Sequence, residues 1–129
     1  MNPITQLLRK AEITFEDANY LFFERKSFES SVSRAYYAIF YITEAMLISN
    51  EINTFSHKGL SSEFAKAFIK TNKIEPLYGK ILSNIFQKRQ LGDYDMYAEI
   101  TESMAIEVLK DASKFIDRMV EYLKEHKIV

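Results

Sequence analysis

"SFESSVSRAYYAIFYITEAMLIS", residues 27–49, is the stretch whose reading decides the fold. Val32, Tyr36, Ile39, Thr43 and Met46 recur at alternating steps of four and three, the period of one helix face. Ala35, Phe40 and Leu47 flank that stripe and widen it. A stripe this wide belongs to a helix covered on several sides, so residues 27–49 form the central helix of a bundle. Ser27 is placed to cap its start. Ser30, Ser31, Ser33, Ala35 and Ala38 are small enough to let a neighbouring helix approach closely.

Outward from this helix, the same rhythm appears at both ends of the chain. Asn2-Pro3 opens a helix in which Ile4, Leu8, Ala11, Phe15, Ala18 and Phe22 form one seam. Ala105, Leu109, Ala112, Ile116, Met119 and Leu123 form a matching seam in the last helix. Two long matched seams predict packing at a shallow crossing angle. "NEINTFSHKG" (50–59) reads as a connection, followed by a shorter helix with Leu60, Phe64, Ala67 and Phe68 that stops near Asn72. Pro76 starts a fourth helix, and Gly92 reads as its stop. Three glycines and two prolines in 129 residues leave little turn chemistry for a sheet. The expectation is one all-α domain over residues 1–129, an up-and-down bundle of four to five helices.

Composition removes several functions. With no cysteine there is no disulfide, thiol nucleophile or cysteine-ligated zinc. The two histidines, His57 and His126, do not follow a Glu by three residues, so the paired Glu-x-x-His ligands of a di-iron bundle are missing. No metal and no cofactor is expected. His57 reads as a capping or packing residue and His126 as part of a solvated basic tail. There is no Gly-rich phosphate loop and no serine-nucleophile elbow. No apolar run approaches the roughly 20 residues of a membrane span, and no signal-peptide pattern opens the chain. A soluble, cytoplasmic protein is expected. The formal net charge of −1 gives no global pull on nucleic acid, so any RNA must meet a local basic patch.

The corner "QKRQLGDYDMY" (87–97) gathers Arg89, Asp93, Tyr94 and Tyr97 around Gly92. On one reading it is only a helix end. Lys88 and Arg89 then complement the carbonyl end of the dipole, and Asp93 or Asp95 caps the next helix. On the other reading Arg89 is a phosphate ligand, through its planar fork of donors. Arg34 sits among aromatic residues on the central helix, so its charge needs a partner or a cleft. Pairing with Asp93 and a part in ligand binding are the two alternatives.

Three ordered stretches carry a family resemblance. "SRAYYAIFYITEAMLISN" (33–50) resembles the second-helix signature of the HEPN superfamily, in its small single-domain, UPF0332-like branch. "SHKGLSSEFAKAFIK" (56–70) is similar to the segment that follows it there. "KRQLGDYDMY" (88–97) resembles the element before the last long helix. The resemblance implies a symmetric homodimer that works beside a minimal nucleotidyltransferase as a toxin–antitoxin pair. It also implies metal-independent endoribonuclease chemistry through Arg-x(4–6)-His, with a nearby tyrosine that the partner modifies. Arg89 matches the motif arginine. The histidine would fall at 94, 95 or 96, which hold Tyr94, Asp95 and Met96. The motif therefore lacks its histidine, and its tyrosine is not in register, although Tyr94 and Tyr97 lie close by.

The resulting expectation is RNA or nucleotide binding by Arg89, Asp93, Tyr94, Tyr97 and Arg34. Imidazole exchanges protons near neutrality, with a pKa of ~6.5, whereas tyrosine at about 10 is a poor base. Binding therefore survives the loss of the histidine better than cleavage does. The alternative is a non-catalytic helical module for dimerisation or protein interaction.

Overall fold

The computed structural model describes residues 2–52, 57–94 and 99–129, with the side chains of residues 57, 58, 93 and 94 left aside. The elements are α1 (Pro3–Phe23), α2 (Phe28–Ser49), α3 (His57–Phe64), which passes directly into a π-helical turn (Ala65–Ile69), α4 (Pro76–Tyr94) and α5 (Glu102–Glu125). The described residues contain no strand. The all-α bundle read from the periodicity is the observed architecture.

Local signals set most of the boundaries. The Asn2 side chain accepts a hydrogen bond from the Thr5 amide at 2.8 Å, and Pro3 takes the first helical position. Helix α2 starts after Ser27 and ends at Ser49, but the Ser27 side chain makes no capping bond. Asn72 adopts φ 59°, the left-handed geometry expected at the stop after Phe68. The π turn is marked by the Lys70 amide bonding the Ala65 carbonyl.

Two expectations at the corner fail. Helix α4 runs through Gly92 to Tyr94, and no described glycine has a positive φ. Gly92 is there for proximity: a Cβ at this position would lie 3.1 Å from Glu29 Cγ and 3.3 Å from Ile100 Cγ1. The cap of α5 is Thr101, which accepts from the Met104 amide at 3.2 Å, in place of the expected Asp93 or Asp95. The chain simply starts the last helix later than the acidic pair suggested.

Helix α2 lies at the centre and touches α1, α3, α4 and α5. Ser31, Ala35 and Ala38 are fully buried, and the Ser31 hydroxyl donates to the Ala18 carbonyl at 2.8 Å, joining α1 to α2. Val32, Tyr36, Ile39, Thr43 and Met46 are all buried, as the stripe demanded. Helix α5 buries Ala105, Val108, Leu109, Ala112, Phe115, Met119, Tyr122 and Leu123, a broader face than its seam alone. Phe64, Phe68 and Phe115 pack ring to ring beneath it. None of the described helices is long and apolar enough to cross a membrane.

Candidate functional site

Helix α4 carries Ile81, Leu82 and Ile85 into the core and lays Phe86 on Tyr36, with ring centroids 5.7 Å apart. Arg89 follows Ile85 and Phe86 at four and three residues, so it shares their face and meets the same turn of α2 as Phe86. Its Nη2 donates to the Tyr37 hydroxyl at 3.0 Å. Its guanidinium carbon lies 5.3 Å from the centres of both the Tyr36 and the Tyr37 rings. Arg34, one turn earlier on α2, places its guanidinium carbon 4.9 Å from the same Tyr37 ring. The two arginines therefore share one tyrosine.

The arrangement continues along α2. Lys10 of α1 sits 4.4 Å over the Tyr41 ring, and Tyr41 lies 6.2 Å from Tyr37. Arg34, Tyr37, Tyr41 and Glu44 are spaced three, four and three apart and are all half-buried, forming one stripe between α1 and α4. Three cations rest on tyrosine faces here, and the carboxylate of Glu44 lies close enough to Lys10 for the two charges to interact. Each contact is worth about 0.5–1 kcal/mol when exposed and about 2 kcal/mol when desolvated.

Acid–base properties limit the chemistry. Burial pushes the Tyr36 phenol far above the ordinary tyrosine range, and the Arg89 charge only partly opposes that. Tyr36 is thus a proton-retaining packing group and no base. Glu44 is also raised by burial, with Lys10 pulling the other way.

Of the five expected site residues, Arg89 and Arg34 come together on Tyr37. Asp93 and Tyr94 close α4, but their side chains lie outside the described residues, as does all of Tyr97. The expected Arg34–Asp93 pair falls there too, and the observed neighbour of Arg34 is the Tyr37 ring. His57 opens α3 with its side chain outside the description. His126 is exposed but not loose: it caps α5 and stacks on Tyr122 at 4.0 Å. Among the described residues, no group of three or more His, Asp or Glu could hold a metal ion.

Sequence reasoning missed Tyr37, Tyr36 and Lys10. The signal was present in "RAYY" (34–37), where an arginine one turn from adjacent tyrosines invites cation–aromatic pairing.

Arg34 also borders a hollow of about 360 Å³ with Leu21, Glu29, Ser30 and Ser33. A hollow of about 420 Å³ lies between α1 and α5 and is walled by Glu12, Glu16 and Asp117. Carboxylates there repel phosphate.

Set beside known proteins, residues 4–124 match the HEPN domain model. The chain belongs to the HEPN family. Two relatives from Methanocaldococcus jannaschii bear the name "Putative toxin". One is 33% identical over 93% of this chain and 81% of its own length. The other is 34% identical over 95% and 90%. A "UPF0332 protein" of Thermotoga maritima is 29% identical over 92% of this chain and 89% of its own. These matches place the chain in the small single-domain branch of HEPN proteins.

Proposed function

We propose that this toxin-like HEPN protein binds RNA or a nucleotide through phosphate contacts at the Arg34–Tyr37–Arg89 face. It would act as a homodimer beside a minimal nucleotidyltransferase. The observation that carries the reading is the pair of guanidiniums held on one tyrosine at the half-buried edge of α2. Such a face offers fixed positive charge to a phosphodiester, and a guanidinium matches phosphate geometry bidentately. Asp93, Tyr94 and Tyr97, next along the chain, belong to the same proposed site.

Cleavage is not part of the proposal. Positions 94–96 lack the motif imidazole. The buried phenol of Tyr36, whose ring lies 5.3 Å from the Arg89 guanidinium carbon, holds its proton more tightly than a free tyrosine. The site can fix a phosphate and polarise it, but the Arg/His route to 2′-hydroxyl activation has lost its proton acceptor.

Ile13, Tyr20 and Phe23, each more than half exposed on α1, favour a second reading as a non-catalytic interaction module. The two readings separate in one experiment: titrate a labelled single-stranded RNA with the purified protein while following its integrity on a gel. Saturable binding of uncut RNA, weakened at least tenfold in Arg89→Ala, supports the phosphate reading. No binding by the wild type at low salt leaves the interaction module. Co-purification with a nucleotidyltransferase encoded beside the gene, and the mass of the free protein in solution, check the partner and the dimer.

A further inference from the structure

We infer that the face between α1 and α5 is a docking groove for an amphipathic helix of a partner protein, apolar along one edge and flanked by Lys or Arg. The inference stands apart from the phosphate reading, which concerns α2 and α4. Two hollows share Glu12, Ile116 and Val120 and so form one groove. The first, of about 420 Å³, is also lined by Phe15, Glu16 and Asp117. The second, of about 460 Å³, adds Leu8, Arg9, Lys124 and Val129. The lining runs from Thr5 to Glu16 on α1 and from Lys124 back to Ser113 on α5. The groove thus follows two antiparallel helices for ~16 Å, at 1.5 Å per residue.

Its floor is apolar. Leu8, Phe15, Ile116 and Val120 pack on the core yet stay half-exposed. Tyr20 and Phe23, each more than half exposed, come four and seven residues after Glu16, on the same side of α1. They carry the apolar edge about two turns further, and exposed aromatic rings are the usual anchors of a docked segment.

Charge selects the occupant. Glu12, Glu16 and Asp117 are exposed, and among the described residues none of the three side chains has an ion-pair or hydrogen-bond partner. The two glutamates stand midway between Leu8 and Phe23, with Asp117 across the groove from them. A second copy laid on this face about a twofold axis would set the carboxylates against their own equivalents, which is unfavourable. A helix with Lys or Arg beside its apolar edge meets them with opposite charge, in the helix-in-groove manner. Arg9 and Lys124 mark the far end and give the bound helix a direction.

The probe is a fluorescein-labelled helical peptide with Leu along one edge, Lys on both flanks and Ala elsewhere. A length of about 18 residues reaches from Thr5 to Phe23. Its twin has Glu in place of each Lys. Anisotropy should show saturable binding of the Lys peptide and none of the Glu peptide. Binding should be at least about tenfold weaker in Glu12→Lys/Asp117→Lys and at least about threefold weaker in Tyr20→Ala. Arg89→Ala should bind the Lys peptide as wild type does.

No binding of the Lys peptide at low salt would overturn the inference. So would an equal loss in Glu51→Lys/Glu107→Lys, which makes the same charge change elsewhere. Sedimentation velocity supplies the last arm. A wild-type dimer that separates in Glu12→Lys/Asp117→Lys would make the occupant a second copy and overturn the inference too, whereas an unchanged mass with peptide binding lost supports it. Should the double variant not fold, Asp117→Asn decides, with a loss of at least about threefold expected.

Discussion

Two arginines of this bundle are held in opposite ways. Arg118 of α5 gives its Nε and Nη2 to the Glu75 carboxylate at 2.8 and 3.1 Å, and its Nη1 reaches Glu121 at 3.3 Å. Arg89 of α4 lies on tyrosine rings and bonds a hydroxyl. The first charge is taken up by carboxylates in joining α5 to the start of α4. The second rests on two phenol rings, and one of its nitrogens donates to a phenol hydroxyl. Contact with phenols orients a cation by ring and hydroxyl, whereas the carboxylates of Glu75 and Glu121 pair with the charge of Arg118.

The largest expected effect comes from removing the ring that supports Arg89. Tyr36 is 1% exposed and packs on Phe40 and Phe86. Tyr36→Ala should cost about 3–5 kcal/mol, read by chemical denaturation. A loss below about 1 kcal/mol would show that Arg89 rests on a surface and not on the core.

Next, Arg89→Ala should weaken RNA binding at least about tenfold, roughly 1.4 kcal/mol, while leaving the melting temperature near wild type. A large loss of stability with intact binding would make Arg89 a structural residue like Arg118.

A smaller effect tests the corner between the two regions. Gly92→Ala gains helix propensity worth about 0.5–1 kcal/mol but presses on Glu29 and the buried Ile100. Exposed Glu29 can move and Ile100 cannot, so the two effects should offset to within about 1 kcal/mol in a urea titration. A loss of several kcal/mol would mean that neither Glu29 nor Ile100 can yield to a Cβ at position 92.

The smallest effect belongs to Arg118. The Arg118 hydrogen bond lowers the Glu75 carboxyl below its ordinary value of 4.5. A depressed carboxyl stabilises the fold above its unfolded pKa, and the gain fades as pH falls below about 4.5 through the folded value. Glu75 is 56% exposed, so the bond is worth no more than about 1 kcal/mol. Glu75→Gln should therefore flatten a shallow acid limb in stability measured from about pH 6 to about pH 3. An unchanged acid limb would remove Arg118–Glu75 as a stabilising pair.

The fold was largely legible because its cues are local. Ser27–Ser49, Asn72 and Pro76 each mark a boundary through period, cap or turn chemistry, and the structure keeps all three. Gly92 misled because a glycine that admits a neighbour and a glycine that ends a helix look alike in one dimension. The π turn at Ala65–Ile69 leaves no mark on a period count, since one extra residue shifts the Phe64–Phe68 face only slightly. At the site, Arg89 and Arg34 were legible as charges seeking partners. Tyr37 was not, because its bond to Arg89 crosses 52 residues and depends on how α4 lies against α2. Spacing names the face a residue occupies, while only packing decides what it meets.

The account stands or falls on the difference between the two arginines, and one measurement compares them on equal terms. Arg89→Ala and Arg118→Ala each remove one positive charge, so affinities for the same single-stranded RNA at one salt concentration isolate position from charge. Loss of about tenfold or more at 89, with less than about twofold at 118, is the predicted result. Equal losses would contradict it, reducing the interaction to net charge with no site at all.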